Sequence, residues 1–456
     1  MTERDLLRDE ARYCSFGDTV HYIDPPKIFA RCEGSYLYDT ENKPYLDLQM
    51  WYSACNFGYA NPRLNEALKR QIDTLPQLAC QYLHKEKIEL ARTIAERVNA
   101  TWGMEGRVHF NVGGSQSIED SLKLVRNACG GKSLMFAFEG GYHGRTLGAS
   151  AITSSYRYRR RYGHFGERAQ FVPYPYCFRC PYGKKREDCG LYCVDQFARL
   201  FDTEYAGVWD PKKGEAEYAA FYVEAIQGTG GYVIPPPGYF EKLKTVLEER
   251  KILLVDDEIQ MGFYRAGKFW ALENFNVKPD VIVFGKAVTN GLNPIAGLWA
   301  REELINPTVF PPGSTHSTFS SNPLGTAVAL ETIKLMTEID YETLTREKGA
   351  YLLEGLKDLK RRYKIVGDVD GLGMALRMEI CADDSFTPDK AMTDRMVDEA
   401  MKGDLEVGGK KYGLVLDIGG YYKNVVTLAP SLDISYEEMD LAIKLLDQLL
   451  ARVTKR

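Results

Sequence analysis

Two short apolar segments that end in charged residues constrain the fold of this chain most strongly. Residues 254–258 read as a buried strand that ends in acids, among them Asp257. About one helix later, residues 281–287 read as a second apolar strand, which ends at Lys286. Strands that alternate with helical segments are typical of a parallel α/β sheet. We therefore expect Asp257 and Lys286 to approach each other at the ends of neighbouring strands.

This pair of residues predicts a cofactor. A lysine at the end of a buried strand is costly unless it is neutral or covalently bonded. Pyridoxal phosphate (PLP) requires a lysine that forms a Schiff base and a carboxylate for its pyridinium nitrogen. Lys286 and Asp257 are therefore the candidate catalytic residues, and Gln260 is expected to hydrogen-bond the ring hydroxyl. Asp256 and Glu258 point the other way along the strand, so we interpret them as salt-bridging or helix-capping residues.

A glycine-rich segment, residues 110–119, joins a strand to a helix. Glycines before a helix N-terminus allow backbone amides to approach a phosphate, and the helix dipole favours the dianion. Gly114 and Ser115 are therefore candidate phosphate-binding residues. The alternative is an ordinary tight turn between a strand and a helix.

Length and charge limit the classes of function. The chain has 456 residues, enough for a large α/β domain and a smaller one. A net charge of -5 argues against a nucleic-acid or anionic-membrane partner. The sequence contains no run of 18 or more apolar residues and no apolar signal core at its N-terminus. We therefore expect a cytoplasmic enzyme with small-molecule substrates.

The pattern of elements predicts the domain organisation. Residues 1–60 form an N-terminal β-meander that belongs to the small domain. Residues 61–330 form the large cofactor-binding domain, with a cysteine-containing insertion near 174–195. Residues 331–456 form the C-terminal small domain, which mixes strands and helices.

The segment 257–268, Asp-Glu-Ile-Gln-Met-Gly-Phe-Tyr-Arg-Ala-Gly-Lys, followed by Gly285-Lys286-Ala287, resembles the signature of class III (omega) aminotransferases. The resemblance extends over nearly the whole chain. It implies the α/β fold of fold-type I PLP-dependent transferases, with a large, mostly parallel-sheet domain and a smaller α+β C-terminal domain. It also implies that the freed Lys286 amine moves a proton between the substrate and the cofactor.

The same resemblance assigns further cofactor-binding residues. Tyr142, in Gly-Tyr-His-Gly, would stack on the pyridine ring, although it could also be a half-buried core residue. His143 beside it is interpreted as structural. Glu224 matches an acid that lies near the cofactor in the family. Thr318 matches a threonine that reaches the phosphate of the neighbouring subunit, which implies a homodimer with shared active sites.

The substrate side departs from the family pattern. Many members hold a substrate carboxylate with an arginine at the position of Thr427, so that clamp is missing here. Either Arg145 or Arg265 replaces it, or the main substrate lacks an α-carboxylate. Trp51 and Tyr52 fall where the family lines its substrate channel; the alternative is packing within the β-meander.

Four cysteines in the insertion have the spacing C-x2-C-x8-C-x3-C: Cys177, Cys180, Cys189 and Cys193. That spacing could hold zinc or an iron–sulfur cluster. The alternative, a surface insertion with reduced thiols, is preferred, and no metal is predicted.

Three functions remain open. The first is an aminotransferase that acts on an ω-amine or amino sugar and a 2-oxo acid by a ping-pong mechanism. The second is a lyase or an epimerase or racemase on the same fold. The third, a catalytically silent binding protein, conflicts with the joint presence of Lys286, Asp257, Gln260 and Thr318.

Overall fold

The structure, a computed structural model, describes residues 2–15, 23, 26–159, 162 and 169–455. Parts of the predicted N-terminal segment, residues 1, 16–22 and 24–25, lie outside the described residues. The strands, in chain order, are β1 (Phe29–Glu33), β2 (Tyr36–Asp39), β3 (Pro44–Asp47), β4 (Gly106–Asn111), β5 (Leu134–Phe138), β6 (Gln170–Val172), β7 (Trp209–Asp210), β8 (Glu215–Ala216), β9 (Tyr218–Val223), β10 (Leu253–Asp257), β11 (Val281–Phe284), β12 (Ala296–Arg301), β13 (Val366–Leu372), β14 (Ala375–Ile380), β15 (Leu405–Val407), β16 (Lys410–Val415), β17 (Asp417–Gly419) and β18 (Val425–Leu428).

The helices are α1 (Glu3–Tyr13), α2 (Met50–Ser53), α3 (Pro62–Thr74), α4 (Lys85–Trp102), α5 (Gly114–Ala128), α6 (Leu147–Ile152), α7 (Tyr192–Ala198), α8 (Tyr239–Glu249), α9 (Glu302–Ile305), α10 (Pro323–Glu338), α11 (Tyr341–Arg362), α12 (Lys390–Met401) and α13 (Tyr436–Thr454). Short 3-10 helices follow β10 at Ala271–Phe275 and β11 at Lys286–Thr289.

A sheet of seven strands forms the centre of the large domain, in the order β4-β12-β11-β10-β9-β5-β6. β5, β6, β9, β10 and β11 pair in parallel, whereas β12 runs antiparallel to both of its neighbours. All residues of β9 and β11 are buried, because apolar side chains cover both faces of the sheet. The predicted α/β fold with a large, mostly parallel sheet is confirmed.

Two further sheets contain the remaining long strands. One has the order β13-β14-β18-β17, and α11, α12 and α13 accompany it in the C-terminal part of the chain. The other has the order β1-β2-β3-β16-β15, in which β3 pairs in parallel with β16. The N-terminal meander therefore shares a sheet with strands from the end of the chain. The exact domain limits at 60 and 330 stay a prediction.

Candidate active site

The carboxyl ends of β9, β10 and β11 carry the charged side chains of the site. β10 pairs in parallel with both neighbours, with Asp256 opposite Val223 and Asp257 opposite Val283. The three strands therefore end at one edge of the sheet, where a cavity of about 180 Å³ lies. Most of the residues that the sequence predicts for the cofactor site line this cavity: Gly114, Ser115, Tyr142, Glu224, Asp257, Gln260 and Lys286.

Lys286 begins the 3-10 helix that follows β11 and projects into the cavity. Its φ of 44° lies in the left-handed region, which is costly for a residue with a side chain and is typical of functional sites. Burial lowers the pKa of its ammonium to about 8, although Asp257, Glu224 and Asp417 favour the charged form. An amine with such a pKa is partly unprotonated near neutral pH, so it can act as a nucleophile and as a proton carrier.

Asp257 is held by a histidine that the sequence analysis did not assign to the site. His143 Nδ1 lies 2.8 Å from Asp257 Oδ2, and both side chains are buried. Burial disfavours the charged imidazole, but the hydrogen bond and the charge of Asp257 raise the pKa of His143 overall. His143 also lines the cavity, so the structural interpretation made from the sequence is incomplete. Its position next to Tyr142 in the Gly-Tyr-His-Gly segment was the available signal.

Glu224, directly after β9, connects two loops of the cavity. Its Oε1 accepts a hydrogen bond from the backbone N–H of Tyr142 at 2.9 Å, and Oε2 accepts one from Gly228 at 2.9 Å. Burial raises the pKa of Glu224 to about 7, while the nearby His143 opposes that rise. This carboxyl group can therefore exchange a proton near neutral pH.

The N-terminus of α5 also lines the cavity, through Gly114 and Ser115. Gly113 precedes the helix, and the first backbone N–H groups of a helix lack partners within it. A Cβ added to Gly114 would lie 2.8 Å from Ile259 Cδ1, and one added to Gly144 would overlap Ser115. Gly144, whose φ is +126°, therefore requires glycine, whereas a side chain at position 114 would require the end of the Ile259 side chain to move. Ser115 Oγ accepts a hydrogen bond from Arg145 N at 3.2 Å.

These groups fit PLP. The cavity offers an amine that is readily deprotonated, a buried carboxylate, and a helix N-terminus suited to a phosphate dianion. Gln260 Nε2 donates to Tyr232 Oη at 3.1 Å, which fixes the amide beside the cavity.

Trp51, Tyr52 and Thr318 do not line this cavity within the described residues. Trp51 and Tyr52 are 54% and 37% exposed and lie in α2, whose residues all have φ between 45° and 63°. α2 is thus one left-handed turn, which is strained for L-residues. Asp47 Oδ1 stabilises it by accepting hydrogen bonds from Gln49 N and Met50 N at 2.7 and 2.8 Å. The role of Trp51 and Tyr52 in a substrate channel stays a prediction.

The two arginines considered as substitutes at the substrate side differ. Arg265 is fully buried and donates to Met374 O at 3.0 Å, Pro430 O at 2.7 Å and Asn56 Oδ1 at 2.6 Å. It therefore connects backbone segments and does not contact the cavity. Arg145 is exposed and lies over the ring of Tyr158, with 4.6 Å between its Cζ and the ring centroid. It remains accessible to a ligand.

Asp256 and Glu258 point away from the cavity, as strand alternation predicts. Glu258 accepts hydrogen bonds from the backbone N–H groups of Ala271 and Leu272 at 2.8 and 2.9 Å, which caps the following 3-10 helix. Burial, together with the adjacent Glu258 carboxylate, raises the pKa of Asp256 well above its ordinary value. Burial therefore favours the neutral form of the Asp256 carboxyl group.

The four cysteines of the insertion surround a small cavity and are free thiols: Cys177, Cys180, Cys189 and Cys193. Among the described residues, no three His, Cys, Asp or Glu side chains converge as a metal site would require. None of the helices in the described ranges is long and apolar enough to cross a membrane.

Comparisons with known proteins agree with this geometry. The family model described as "Aminotransferase class-III" matches residues 20–450. An alanine/serine racemase from Pyrococcus horikoshii is 31% identical over 98% of this chain and 90% of its own. An ornithine aminotransferase from Brevibacillus brevis is 29% identical over 94% of this chain and 95% of its own. The PLP-bound crystal structure of an amine transaminase from an uncultivated Pseudomonas species has a TM-score of 0.83 and 25% identity, covering 94% of this chain and 96% of that one.

Proposed function

The chain belongs to the class III aminotransferase family of fold-type I, PLP-dependent enzymes, and we propose that it moves an amino group from a primary amine to a 2-oxo acid by a ping-pong mechanism. The amine is an ω-amine or an amino sugar. The observation that supports this most directly is the Lys286 amine, whose pKa is lowered to about 8, beside the buried Asp257 and Glu224 carboxyl groups.

The cofactor would be held by residues from four loops. Asp257, oriented by His143, would bind the pyridine nitrogen, and the N-terminus of α5 with Ser115 would bind the phosphate. Tyr142 would cover the ring, and Gln260 would bind the ring hydroxyl. When bound, PLP joins the amine covalently and takes up the electron pair of the bond that breaks at the amine-bearing carbon.

The proton chemistry then depends on the residues of this chain. Lys286 Nζ would remove a proton from the amine-bearing carbon of the substrate and would later return a proton to the bound substrate and cofactor. Its pKa of about 8 allows both transfers near neutral pH. The His143–Asp257 hydrogen bond keeps the carboxylate in one orientation during these steps. Glu224 holds the Tyr142 loop in place by accepting a hydrogen bond from the backbone N–H of Tyr142.

A racemase is the second candidate, because the Pyrococcus relative that is 31% identical over 98% of the chain is an alanine/serine racemase. Racemisation needs a proton to return to the same carbon from the opposite side, so it requires no 2-oxo acid. The elimination reaction considered from the sequence has no such observation in its favour.

One experiment separates the two candidates. Purified holoenzyme is mixed with ω-amines, amino sugars and single enantiomers of amino acids, with and without 2-oxoglutarate or pyruvate. An aminotransferase forms oxo product equal to the enzyme concentration without an acceptor, and turns over when the acceptor is added. Inversion of a pure enantiomer without an acceptor, and without oxo product, would establish the racemase instead. Lys286→Ala is the control and should abolish either reaction.

We also propose a homodimer with shared active sites. Thr318 is exposed in this chain, and the adjacent Phe319 is 69% exposed, as expected if a second copy covers this loop. Sedimentation analysis of the active enzyme should give twice the mass of one chain. An active monomer would contradict the shared site.

A further inference from the structure

The substrate side of the site carries a carboxylate where the family pattern has an arginine. Thr427, which occupies the arginine position, lies in β18 directly opposite Asp417 of β17. The Thr427 hydroxyl donates a hydrogen bond to Asp417 Oδ2 at 3.0 Å. Side chains of directly paired antiparallel residues share one face of a sheet, so Asp417 occupies the region from which an arginine at 427 would project.

The fold brings Asp417 close to segments that flank the cofactor cavity, although Asp417 is not among the residues that line it. β17 follows β16, and Leu48 N donates to Val415 O at 3.0 Å, which joins this region to the segment before α2. On the other side, Gly420 N donates to Thr229 O at 3.0 Å, in the loop that follows Glu224. Asp417 is close enough to Lys286 to favour the charged form of that amine.

The charge of Asp417 is only partly balanced. Arg377, in the same row of the sheet, is bound elsewhere: its guanidinium donates to Tyr176 Oη at 2.8 Å and pairs with Asp368. Burial raises the pKa of the Asp417 carboxyl group, and Lys423 favours its ionised form, yet the two residues form no ion pair within the described part of the chain. Burial, and then repulsion by Arg157, lower the pKa of Lys423.

A half-buried carboxylate with neutral hydrogen-bond donors is stabilised by a ligand that brings a positive charge. Asp417 receives hydrogen bonds from the side chains of Thr427 and Gln49, both of which are neutral. An ionised Asp417 would repel the carboxylate ligand that an arginine at this position would attract.

We propose that Asp417 determines substrate specificity by binding a second ammonium group of the amine substrate, so that the preferred substrates are diamines or diamino compounds. This inference deepens the proposed function and rests on it. A charge-assisted hydrogen bond of this kind corresponds to a preference of roughly 10- to 100-fold over the matching monoamine.

The test compares 1,5-diaminopentane, 1-aminopentane and 5-aminopentanoate, which differ only in the distal group. The holoenzyme should show a higher kcat/KM for the diamine, and Asp417→Asn should lower the diamine-to-monoamine ratio by roughly 10- to 100-fold. Asp417→Glu, which keeps the charge, should retain a preference for a diamine and serves as the second variant if Asp417→Asn does not fold. Asp370→Asn, in β13 of the same sheet, is the matched control and should leave the ratio unchanged.

A binding measurement keeps this inference separate from the proposed function. In the Lys286→Ala background with cofactor bound, dissociation constants of the three ligands are measured from the visible absorption of the cofactor, with and without Asp417→Asn. If no ligand is ever converted but the diamine still binds more tightly and loses that advantage in Asp417→Asn, only the reaction assignment fails. If the diamine-to-monoamine ratio of dissociation constants is the same with and without Asp417→Asn, the role of Asp417 is overturned. A preference for 5-aminopentanoate would also overturn it and would indicate Lys423 instead.

Discussion

Replacing Lys286 with methionine should stabilise the cofactor-free protein at neutral pH, although it removes the residue on which activity depends. Burial lowers the pKa of this ammonium from 10.5 to about 8. At about 1.4 kcal/mol per pH unit, keeping the lysine charged in the folded state costs about 3 kcal/mol. That value is an upper limit, because the amine faces a cavity large enough to hold water. Methionine keeps most of the length of the side chain without the charge.

The gain in stability of Lys286→Met depends on pH, because the pKa of Lys286 differs between the folded and unfolded states. The folded pKa of Lys286 lies below its unfolded pKa, so the folded protein binds fewer protons between about 8 and 10.5. The penalty is complete below pH 8 and disappears as the pH rises through 10.5. Lys286→Met should therefore be more stable than the parent by up to about 3 kcal/mol at pH 7 and by almost nothing above pH 10.5.

Urea unfolding of the cofactor-free proteins, followed by tryptophan fluorescence at several pH values between 7 and 10.5, measures this difference. Protein concentration is held constant, since association would contribute to stability. Lys410→Met, at an exposed position, is the control and should show no gain that depends on pH. A Lys286→Met protein that is no more stable than the parent at pH 7, or a gain that does not change with pH, would refute the argument that burial destabilises the charged lysine.

Three other predictions concern buried residues. His143→Ala should weaken PLP binding by roughly tenfold, since Asp257 loses its hydrogen bond; fluorescence titration of the cofactor-free enzyme measures this, and equal affinities would show that the histidine does not orient the carboxylate. Gly349→Ala should destabilise the protein by about 1–3 kcal/mol in urea unfolding, because its Cβ would overlap a backbone oxygen of the β13–β14 turn, even though alanine ordinarily favours a helix. Asp256→Asn should reduce the loss of stability on raising the pH from 4.5 towards 7, because burial raises the pKa values of Asp256 and Glu258, so that ionising them at the higher pH destabilises the folded state. If the parent and the variant show the same dependence of melting temperature on pH across that range, ionisation of the pair has no such effect on stability.

The sequence predicted that Asp257 and Lys286 meet at one edge of the sheet, because a local rule determines it. Asp257 and Lys286 each follow an apolar strand, and neighbouring parallel strands end at one edge of a sheet. The glycine-rich turn before α5 was predicted in the same way, from a strand, two glycines and a helix. The domain limits and the assigned roles of Trp51 and Tyr52 are not tested by the structure. The strained left-handed turn that holds these two residues depends on capping by Asp47, which no propensity rule foresees.

Only the tertiary structure decided which side chains from distant segments share the site. His143 and Asp257 are separated by 114 positions in the chain, and their hydrogen bond forms because a loop after β5 folds over the end of β10. Arg265 lies within the family signature, yet packing turns its guanidinium towards Met374 and Pro430, and it does not line the cavity. Periodicity and motif spacing describe the direction of a side chain relative to its own strand or helix. The partner of that side chain is determined by how the elements pack together, and this packing brought Asp417 close enough to Lys286 to favour the charged form of its amine.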